Sequence, residues 1–271
     1  MNKRIGFIGC GNMAQAIISG IITSKLISAE NVMASNRRRG KLDDFAQKFN
    51  INKGDNNIDV VKFGDIVFLA VKPDKFNEIT EEIKGSIDEK KIVVSIAAGI
   101  TIDYLEKKLG KNKKIVRIMP NTPAVVMEAM TAVSFNSNLD SKEKEEVVEI
   151  LQSFGRAEVI EEKLMDAVPG ISGSSPAYVY MFIEALADGG VLTGMPRDKA
   201  YKFAAQAVLG AAKMVLETGK HPGELKDAVC SPAGTTIESV YSLEKNNFRG
   251  AVIEAVEKCY EKTAAMSKSN K

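Results

Sequence analysis

The sequence has no tryptophan, a single histidine and only three cysteines. Cys10, Cys230 and Cys259 are far apart and form no CxxC pair, which argues against a disulfide framework and favours a reducing compartment. With His221 as the sole histidine and no cluster of Cys and His, the composition also argues against a structural or catalytic zinc site. We therefore expect a cytoplasmic protein without a bound metal.

The sequence also has no large excess of positive or negative residues. The chain carries 37 Lys and Arg against 35 Asp and Glu, a formal net charge of +2. Such a balance gives no field that would draw the protein to nucleic acid or to an anionic membrane. The longest apolar stretch, residues 178–192, contains Glu184 and Asp188 and is too short to span a bilayer. We expect neither nucleic acid nor membrane as a partner.

The first part of the chain alternates short apolar runs with amphipathic stretches. Continuous apolar strands separated by helices predict a parallel sheet covered on both faces, which is a doubly wound α/β domain of the Rossmann type. Two later strands, 131–135 and 157–160, flank a helix at 141–154. We place the end of this dinucleotide-binding domain at residue 162. The predicted strands are 4–8, 32–34, 65–71, 92–96 and 115–118, and the predicted helices are 13–22, 41–49, 76–83 and 101–109.

Residues 163–271 contain no convincing strand and predict an all-α domain. Its first and last helices are rich in apolar residues, and small residues such as Ala185 and Gly189 permit close helix approach. These helices form either an ordinary core or a surface that is hidden in a dimer. The predicted helices are 164–168 continuing through 176–192, then 197–218, 223–229, 235–244 and 248–266.

A glycine-rich turn follows the first predicted strand. Gly9, Gly11 and Ala14 form the pattern GxGxxA at the start of the first predicted helix. In the dinucleotide-binding fingerprint the first glycine allows a tight turn, the second admits a pyrophosphate, and the third position keeps helix and strand close. The alternative is a glycine-rich turn that binds nothing.

The end of the second strand indicates which dinucleotide is bound. NAD enzymes usually place an acidic residue there, but this chain has Asn36, Arg37 and Arg38. Asn36 can bond the ribose, and a guanidinium matches the geometry of a 2′-phosphate. A solvent-exposed basic helix start is the alternative, although cations oppose the dipole at a helix N-terminus. The pattern favours NADPH, with NADH possible.

Two segments of the second domain, 170–178 and 230–237, are dense in Gly, Ser and Pro, and each precedes a predicted helix. The second offers hydroxyls and free N–H groups at a helix N-terminus, where a carboxylate can bind. Helix capping by Ser or Thr is the alternative, and it explains one hydroxyl better than three.

Several motifs, taken together, resemble the pyrroline-5-carboxylate reductase family. Ser175 and Ala233 depart from the pattern, since both stand where the family usually has glycine, and Ala233 matters if the backbone there needs a positive φ. The motifs occur in the family's order at residues 6–13, 70–73, 119–123, 172–178 and 221–237.

The resemblance implies a Rossmann domain followed by a helical dimerisation domain, with dimers that assemble further into decamers. It also implies reduction of 1-pyrroline-5-carboxylate to L-proline, the last step of proline biosynthesis. The implied substrate site includes Ser231, Gly234, Thr235 and Thr236. The implied cofactor contacts, to which the basic pattern after the second strand adds Arg37, are Ile8, Gly9, Cys10, Gly11, Asn12, Met13, Asn36, Asn57, Ala70, Val71, Lys72, Pro73, Ile96, Ala97 and Ala98.

The motif blocks contain no evident strong acid. Thr236 is the hydroxyl best placed to donate to the ring nitrogen, and orientation would supply most of the rate. We expect His221, which precedes Pro222, to begin a helix rather than take part in chemistry.

The sequence also bears on other functions. A β-hydroxyacid dehydrogenase needs a lysine after the glycine-rich segment, and none occurs between Leu164 and Asp198. An NAD(P)-binding redox sensor, a structural oligomer and a reductase of another cyclic imine remain alternatives.

Overall fold

The computed structural model describes residues 1–269 and divides into two compact units. The first comprises Met1–Ser174 and the chain from Lys258 onward, and the second comprises Ser175–Glu257. The last helix therefore begins in the second unit and ends in the first. The functional boundary that the sequence predicts after residue 162 stays a prediction.

The first unit is built on an eight-stranded sheet in the order β3-β2-β1-β4-β5-β6-β7-β8. Its central strands are buried along their whole length, as expected for a sheet that is covered on both faces. The strands are β1 (Ile5–Ile8), β2 (Val32–Ser35), β3 (Asn52–Lys53), β4 (Ile66–Leu69), β5 (Ile92–Ser95), β6 (Lys114–Met119), β7 (Ala129–Phe135) and β8 (Gly155–Val159).

Helices cover both faces of this sheet. On one face, stacked Phe7 and Phe68 rings, 4.7 Å between centroids, lie in a cluster that takes in Ile17 of the first helix. On the other, Ile8 packs with Phe76 and Leu105. These observations confirm the predicted Rossmann-type domain. The helices of the first unit are α1 (Asn12–Thr23), α2 (Arg39–Phe49), α3 (Asn57–Phe63), α4 (Phe76–Ile83), α5 (Ile102–Leu109) and α6 (Ser141–Gln152).

The sheet is not wholly parallel, although the strands from which a parallel sheet is predicted do pair in parallel. β7 runs antiparallel to β6, with Val116 opposite Phe135, while every other pairing is parallel. A parallel crossover needs about a dozen residues or more, and the connection from Met119 to Ala129 is shorter and holds only a 3-10 helix, Thr122–Val126.

Two elements next to the candidate cofactor site were missed. β3 has only two residues, both polar, so no apolar run marks it. α3 buries only Val60 and Val61, and its start is marked by Asn56, whose side chain accepts a hydrogen bond from the Asp59 amide. The capping asparagine was the available signal.

The second unit is helical, as predicted, but its helices bury little. Only Ala187 is buried in the first long helix, while Met181 and Leu192 are 68% and 89% exposed. An ordinary core would bury these side chains, so the chain leaves an apolar surface for a partner. The helices are α7 (Ser175–Leu192), α8 (Arg197–Thr218), α9 (Pro222–Ala228), α10 (Thr235–Lys245) and α11 (Phe248–Ser269).

The segment before α7 differs from the predicted helix at 164–168. It consists of a 3-10 helix, Glu162–Leu164, and a π-helical turn, Pro169–Gly173. Both belong to the first compact unit.

Candidate active site

The glycine-rich loop has the geometry that the fingerprint requires. Gly9 follows β1 with φ +97°, and a methyl group there would lie 2.5 Å from the Ala70 carbonyl oxygen. Gly11 is the N-cap of α1, and a methyl group on it would meet nothing within 4 Å. Ala14 is buried against the sheet, as predicted. In the described chain no side chain caps α1, so its first N–H groups face open space, where an anion can bind.

Positive charge follows β2 at the same sheet edge. Asn36 follows β2 directly, and its Oδ1 accepts a hydrogen bond from the Cys10 amide at 3.4 Å, which connects this segment to the glycine-rich loop. Arg37, Arg38 and Lys41 line one cleft with the glycine loop. A third guanidinium is engaged elsewhere, since Nη2 of Arg39 lies 3.3 Å from Asp55 Oδ1. Lys41 was not predicted from the sequence, although its place in the first turn of α2 offered a signal.

Asn57 lies across the cleft and is held from two sides. Its Oδ1 accepts from the Ser35 hydroxyl and its Nδ2 donates to Glu82 Oε2, both at 2.7 Å. Ser35 is buried at the end of β2, which fixes the Asn57 amide relative to the sheet.

These residues enclose a cleft of about 570 Å³ with mixed lining. On the side that follows β4, Lys72 and Lys75 are balanced by Asp74 and Glu78, so the net positive charge is concentrated at the β2 side. Of the predicted cofactor residues, the lining includes Ile8, Gly9, Cys10, Gly11, Asn36, Arg37, Asn57, Ala70, Val71 and Lys72.

Six predicted cofactor residues are not part of this lining. Asn12 borders a neighbouring cleft on the other side of α1. Pro73 begins a 3-10 helix after Lys72, and Ile96, Ala97 and Ala98 follow β5 at the carboxyl edge of the sheet. Met13, the sixth, lies in the first turn of α1.

Cys10 is part of the cofactor cleft but not a reactive group. Its side chain is buried, and burial raises the pKa of the thiol, with a smaller opposing effect from a Gln15 hydrogen bond. The cysteine acts here as a small apolar residue in the turn.

The second candidate site lies at the start of α10. The N-cap is Gly234, and no side chain in the described chain caps the helix. Helix capping by Thr235 or Thr236 is therefore not their role, and the Ser231 carbonyl instead accepts the Gly234 amide at 3.0 Å. Ser231 and Thr235 are exposed and Thr236 is half-buried. Hydroxyls and unpaired N–H groups together suit a carboxylate.

The two departures from the family pattern differ structurally. Ala233 has φ +56°, the left-handed region that a glycine adopts without strain. Ser175 begins α7 and is not among the residues with positive φ, so serine is unstrained there.

His221 caps a helix, as predicted. It is the N-cap of α9, and its Nδ1 accepts a hydrogen bond from the Gly223 amide at 3.0 Å. The ring is exposed at the surface of the second unit.

Within residues 1–269 there is no cluster of three His, Cys, Asp or Glu side chains able to hold a metal ion. Over the same residues, no helix has both the length and the apolar character needed to cross a membrane.

Comparison with known proteins identifies the family. The family model for pyrroline-5-carboxylate reductase dimerisation matches residues 162–266, and that for NADP oxidoreductases, coenzyme F420-dependent, matches residues 4–99. Pyrroline-5-carboxylate reductase of Escherichia coli K12 is 52% identical over 269 residues, covering 99% of this chain and all of that protein. The chain belongs to the pyrroline-5-carboxylate reductase family.

Solved structures agree with this assignment over the full length. Plasmodium falciparum pyrroline carboxylate reductase with NADP bound is 36% identical, with a TM-score of 0.89 and 98% of each chain covered. The Coxiella burnetii pyrroline-5-carboxylate reductase is 34% identical, with a TM-score of 0.91 and coverage of 98% and 99%. The family resemblance seen in the sequence motifs is confirmed. The match to a dimerisation domain, with the uncovered apolar helices, makes the protein a homo-oligomer.

Proposed function

We propose that this chain reduces 1-pyrroline-5-carboxylate to L-proline, with NADPH bound in the cleft of the first unit. One observation carries the proposal. In a chain that belongs to this family along its length, the uncapped start of α1 and the cations after β2 face a single cleft. That combination suits a phosphorylated dinucleotide.

Each part of the cleft has a place in cofactor binding. The backbone at Gly9 and Gly11 approaches the pyrophosphate, and Asn36 bonds the ribose. Arg37 and Arg38 take the 2′-phosphate with charge-assisted contacts, and the NADP in the Plasmodium relative supports this choice. NADH has no 2′-phosphate, so it makes every contact except those with Arg37 and Arg38 and binds more weakly than NADPH. The remaining contacts are Ile8, Cys10, Asn12, Met13, Asn57, Ala70, Val71, Lys72, Pro73, Ile96, Ala97 and Ala98.

The substrate carboxylate binds at the start of α10. Ser231, Thr235 and Thr236 donate their hydroxyls, and the unpaired N–H groups after Gly234 add the positive end of the helix dipole. A carboxylate site of this kind holds the imino-acid ring in place and leaves its C=N bond free to react.

NADPH supplies the hydride, and the protein must favour the protonated imine, which accepts hydride far better than the neutral form. The Thr236 hydroxyl donates a hydrogen bond to the ring nitrogen as the amine forms. A threonine hydroxyl is too weak an acid to do more, so orientation supplies most of the rate.

A variant series tests Thr236. Thr236→Val has the same shape without the hydroxyl, and we expect kcat/KM to fall about 10- to 100-fold, the effect of one lost transition-state hydrogen bond. Thr236→Ser keeps the hydroxyl and should retain most of the activity. Equal kcat/KM for wild type and Thr236→Val would remove Thr236 from the mechanism.

The activity itself is tested with purified protein, 1-pyrroline-5-carboxylate and either NADPH or NADH. Substrate-dependent loss of reduced nicotinamide that yields proline supports the proposal. Cofactor binding without oxidation would reject this substrate and favour a sensor or another cyclic imine.

We further propose that the homo-oligomer is a decamer of five dimers and that it works in the cytoplasm. Cys10, Cys230 and Cys259 are all free thiols, as suits a reducing compartment. Light scattering with size-exclusion chromatography should give about ten times the 29.4 kDa chain mass.

A further inference from the structure

The end of α11 is buried in the first unit. Thr263 and Ser267, one turn apart, are only 6% and 4% exposed, whereas Lys268 beside them is exposed. Neither the proposed cofactor site nor the proposed substrate site uses this helix end. The burial of this helix end in the first unit therefore indicates a role other than direct contact with cofactor or substrate.

A buried guanidinium lies beneath it. Arg117 on β6 is 2% exposed, and its terminal nitrogens lie 3.2 Å from Glu162 Oε1 and 2.9 Å from Asp166 Oδ1. Its Nε has no partner among the described residues, so the two carboxylates satisfy the charge alone. The guanidinium is buried while the two carboxylates are partly exposed, and removing a carboxylate would leave a buried charge without a partner, which destabilises a protein strongly.

Both carboxylates have second partners. Asp166 Oδ1 accepts the Ser267 hydroxyl at 2.8 Å, and Glu162 Oε1 accepts the Ile102 amide at 2.7 Å. Arg117 thereby joins three elements: the end of α11, the segment 162–166 and the start of α5.

The turn between β5 and α5 lies between these contacts. Gly99 has φ +77°, and a methyl group there would lie 3.2 Å from Met266 Cβ and 3.3 Å from the Ser267 nitrogen. The backbone of the turn therefore lies close to the backbone of α11 at Met266 and Ser267. On the other side, Ala98 packs against Met119 and Met165.

We propose that the end of α11 positions the β5–α5 turn for the cofactor, with Ser267 and Asp166 as positioning residues. The inference rests on the proposed cofactor role of Ile96, Ala97 and Ala98. Ser267 holds the helix end through Asp166 and Arg117, and the helix end restrains the turn through Met266. Without this restraint the turn loses part of its preorganisation, and binding then has to supply the ordering.

Ser267→Ala tests the inference, with Lys268→Ala as the matched control on the exposed side of the same turn. For Ser267→Ala we expect the Kd for NADPH to rise about three- to tenfold, the cost of one hydrogen bond to a charged group reduced by its distance from the ligand. Hydrogen exchange of the amides in residues 97–101 should become faster, while the KM for the imine changes less than twofold. Lys268→Ala should leave all three unchanged.

A pair of shortened chains gives a second test. A chain ending at Lys268 keeps Ser267 and should bind NADPH like wild type, whereas one ending at Ala265 lacks Met266 and Ser267 and should bind at least tenfold more weakly. If Ser267→Ala lowers Tm but leaves the NADPH Kd and the exchange unchanged, the contact is structural only and the inference fails. Failure of the wild type to bind NADPH would instead reject the proposed function.

Discussion

Replacing Ala233 by glycine should stabilise this enzyme, although glycine usually weakens a fold. Ala233 has φ +56°, and the left-handed region costs a residue with a Cβ about 1–2 kcal/mol. Glycine removes that strain but gives the unfolded chain more freedom, which offsets about 0.4–1 kcal/mol. The net expectation is a gain of about 0.5–1 kcal/mol in the free energy of unfolding.

Ser175 supplies the control, because it is the other position where the family usually has glycine. It lies in the first turn of α7 without a positive φ, so glycine relieves no strain there. Ser175→Gly should therefore leave stability unchanged or lower it by up to about 0.5 kcal/mol. Substitution by glycine should thus raise the stability at position 233 and should not raise it at position 175.

Urea unfolding at one fixed protein concentration measures both variants, since the stability of an oligomer depends on concentration. The midpoint should rise for Ala233→Gly and should not rise for Ser175→Gly, with equal m-values showing that the transitions are comparable. A midpoint for Ala233→Gly at or below that of wild type would refute the argument from backbone strain.

Two further predictions concern the cofactor cleft. The double variant Arg37→Ser, Arg38→Ser should raise the KM for NADPH by at least about 100-fold with little effect on NADH, because each of the two charge-assisted contacts contributes about 1.5–3 kcal/mol. Arg39→Ser, which removes a guanidinium paired with Asp55, should change neither KM, and an equal loss for both cofactors in the double variant would reject the 2′-phosphate role. Burial raises the pKa of the Cys10 thiol, so a smaller fraction of it is thiolate than in an exposed cysteine at the same pH. Iodoacetamide at pH 8 should therefore leave Cys10 unmodified in the folded protein, as peptide mapping can show, and rapid alkylation would contradict this.

The elements that could be predicted are those whose signal is local. A run such as residues 65–71 is apolar throughout because both faces of its strand are covered, and this alone marks it. The glycine loop is equally local, since Gly9 and Gly11 are needed for backbone reasons at their own positions.

What the sequence could not predict depends on distant partners. Nothing near Arg117 in sequence shows that it is buried, because Glu162 and Asp166 lie far along the chain. The return of α11 to the first unit is of the same kind, and a helical pattern cannot reveal it. The antiparallel direction of β7 follows instead from the short connection between β6 and β7. The apolar pattern of a strand does not indicate its direction.

Helix starts in the first unit connect the fold with the cofactor site. Helices α1 and α2 have N-cap residues that line the cleft, and within the described chain neither has a side-chain cap. A cap contributes about 1 kcal/mol, so these two helix starts lack a stabilising contact that α3, α5 and α6 have. The cleft-lining N-caps are Gly11 and Arg38, and the capping residues of α3, α5 and α6 are Asn56, Thr101 and Asp140.

This division has a physical reason. A side-chain cap occupies the N–H groups that would otherwise bind an anionic ligand, so a helix start cannot be capped and also bind phosphate with the same groups. The missing Ser, Thr, Asp or Asn at these starts is visible in the sequence. Where local rules for helix stability are broken at two helices that meet at one sheet edge, the exceptions themselves indicate the binding site. The uncapped start of α10 at Gly234 extends the same argument to the proposed carboxylate site.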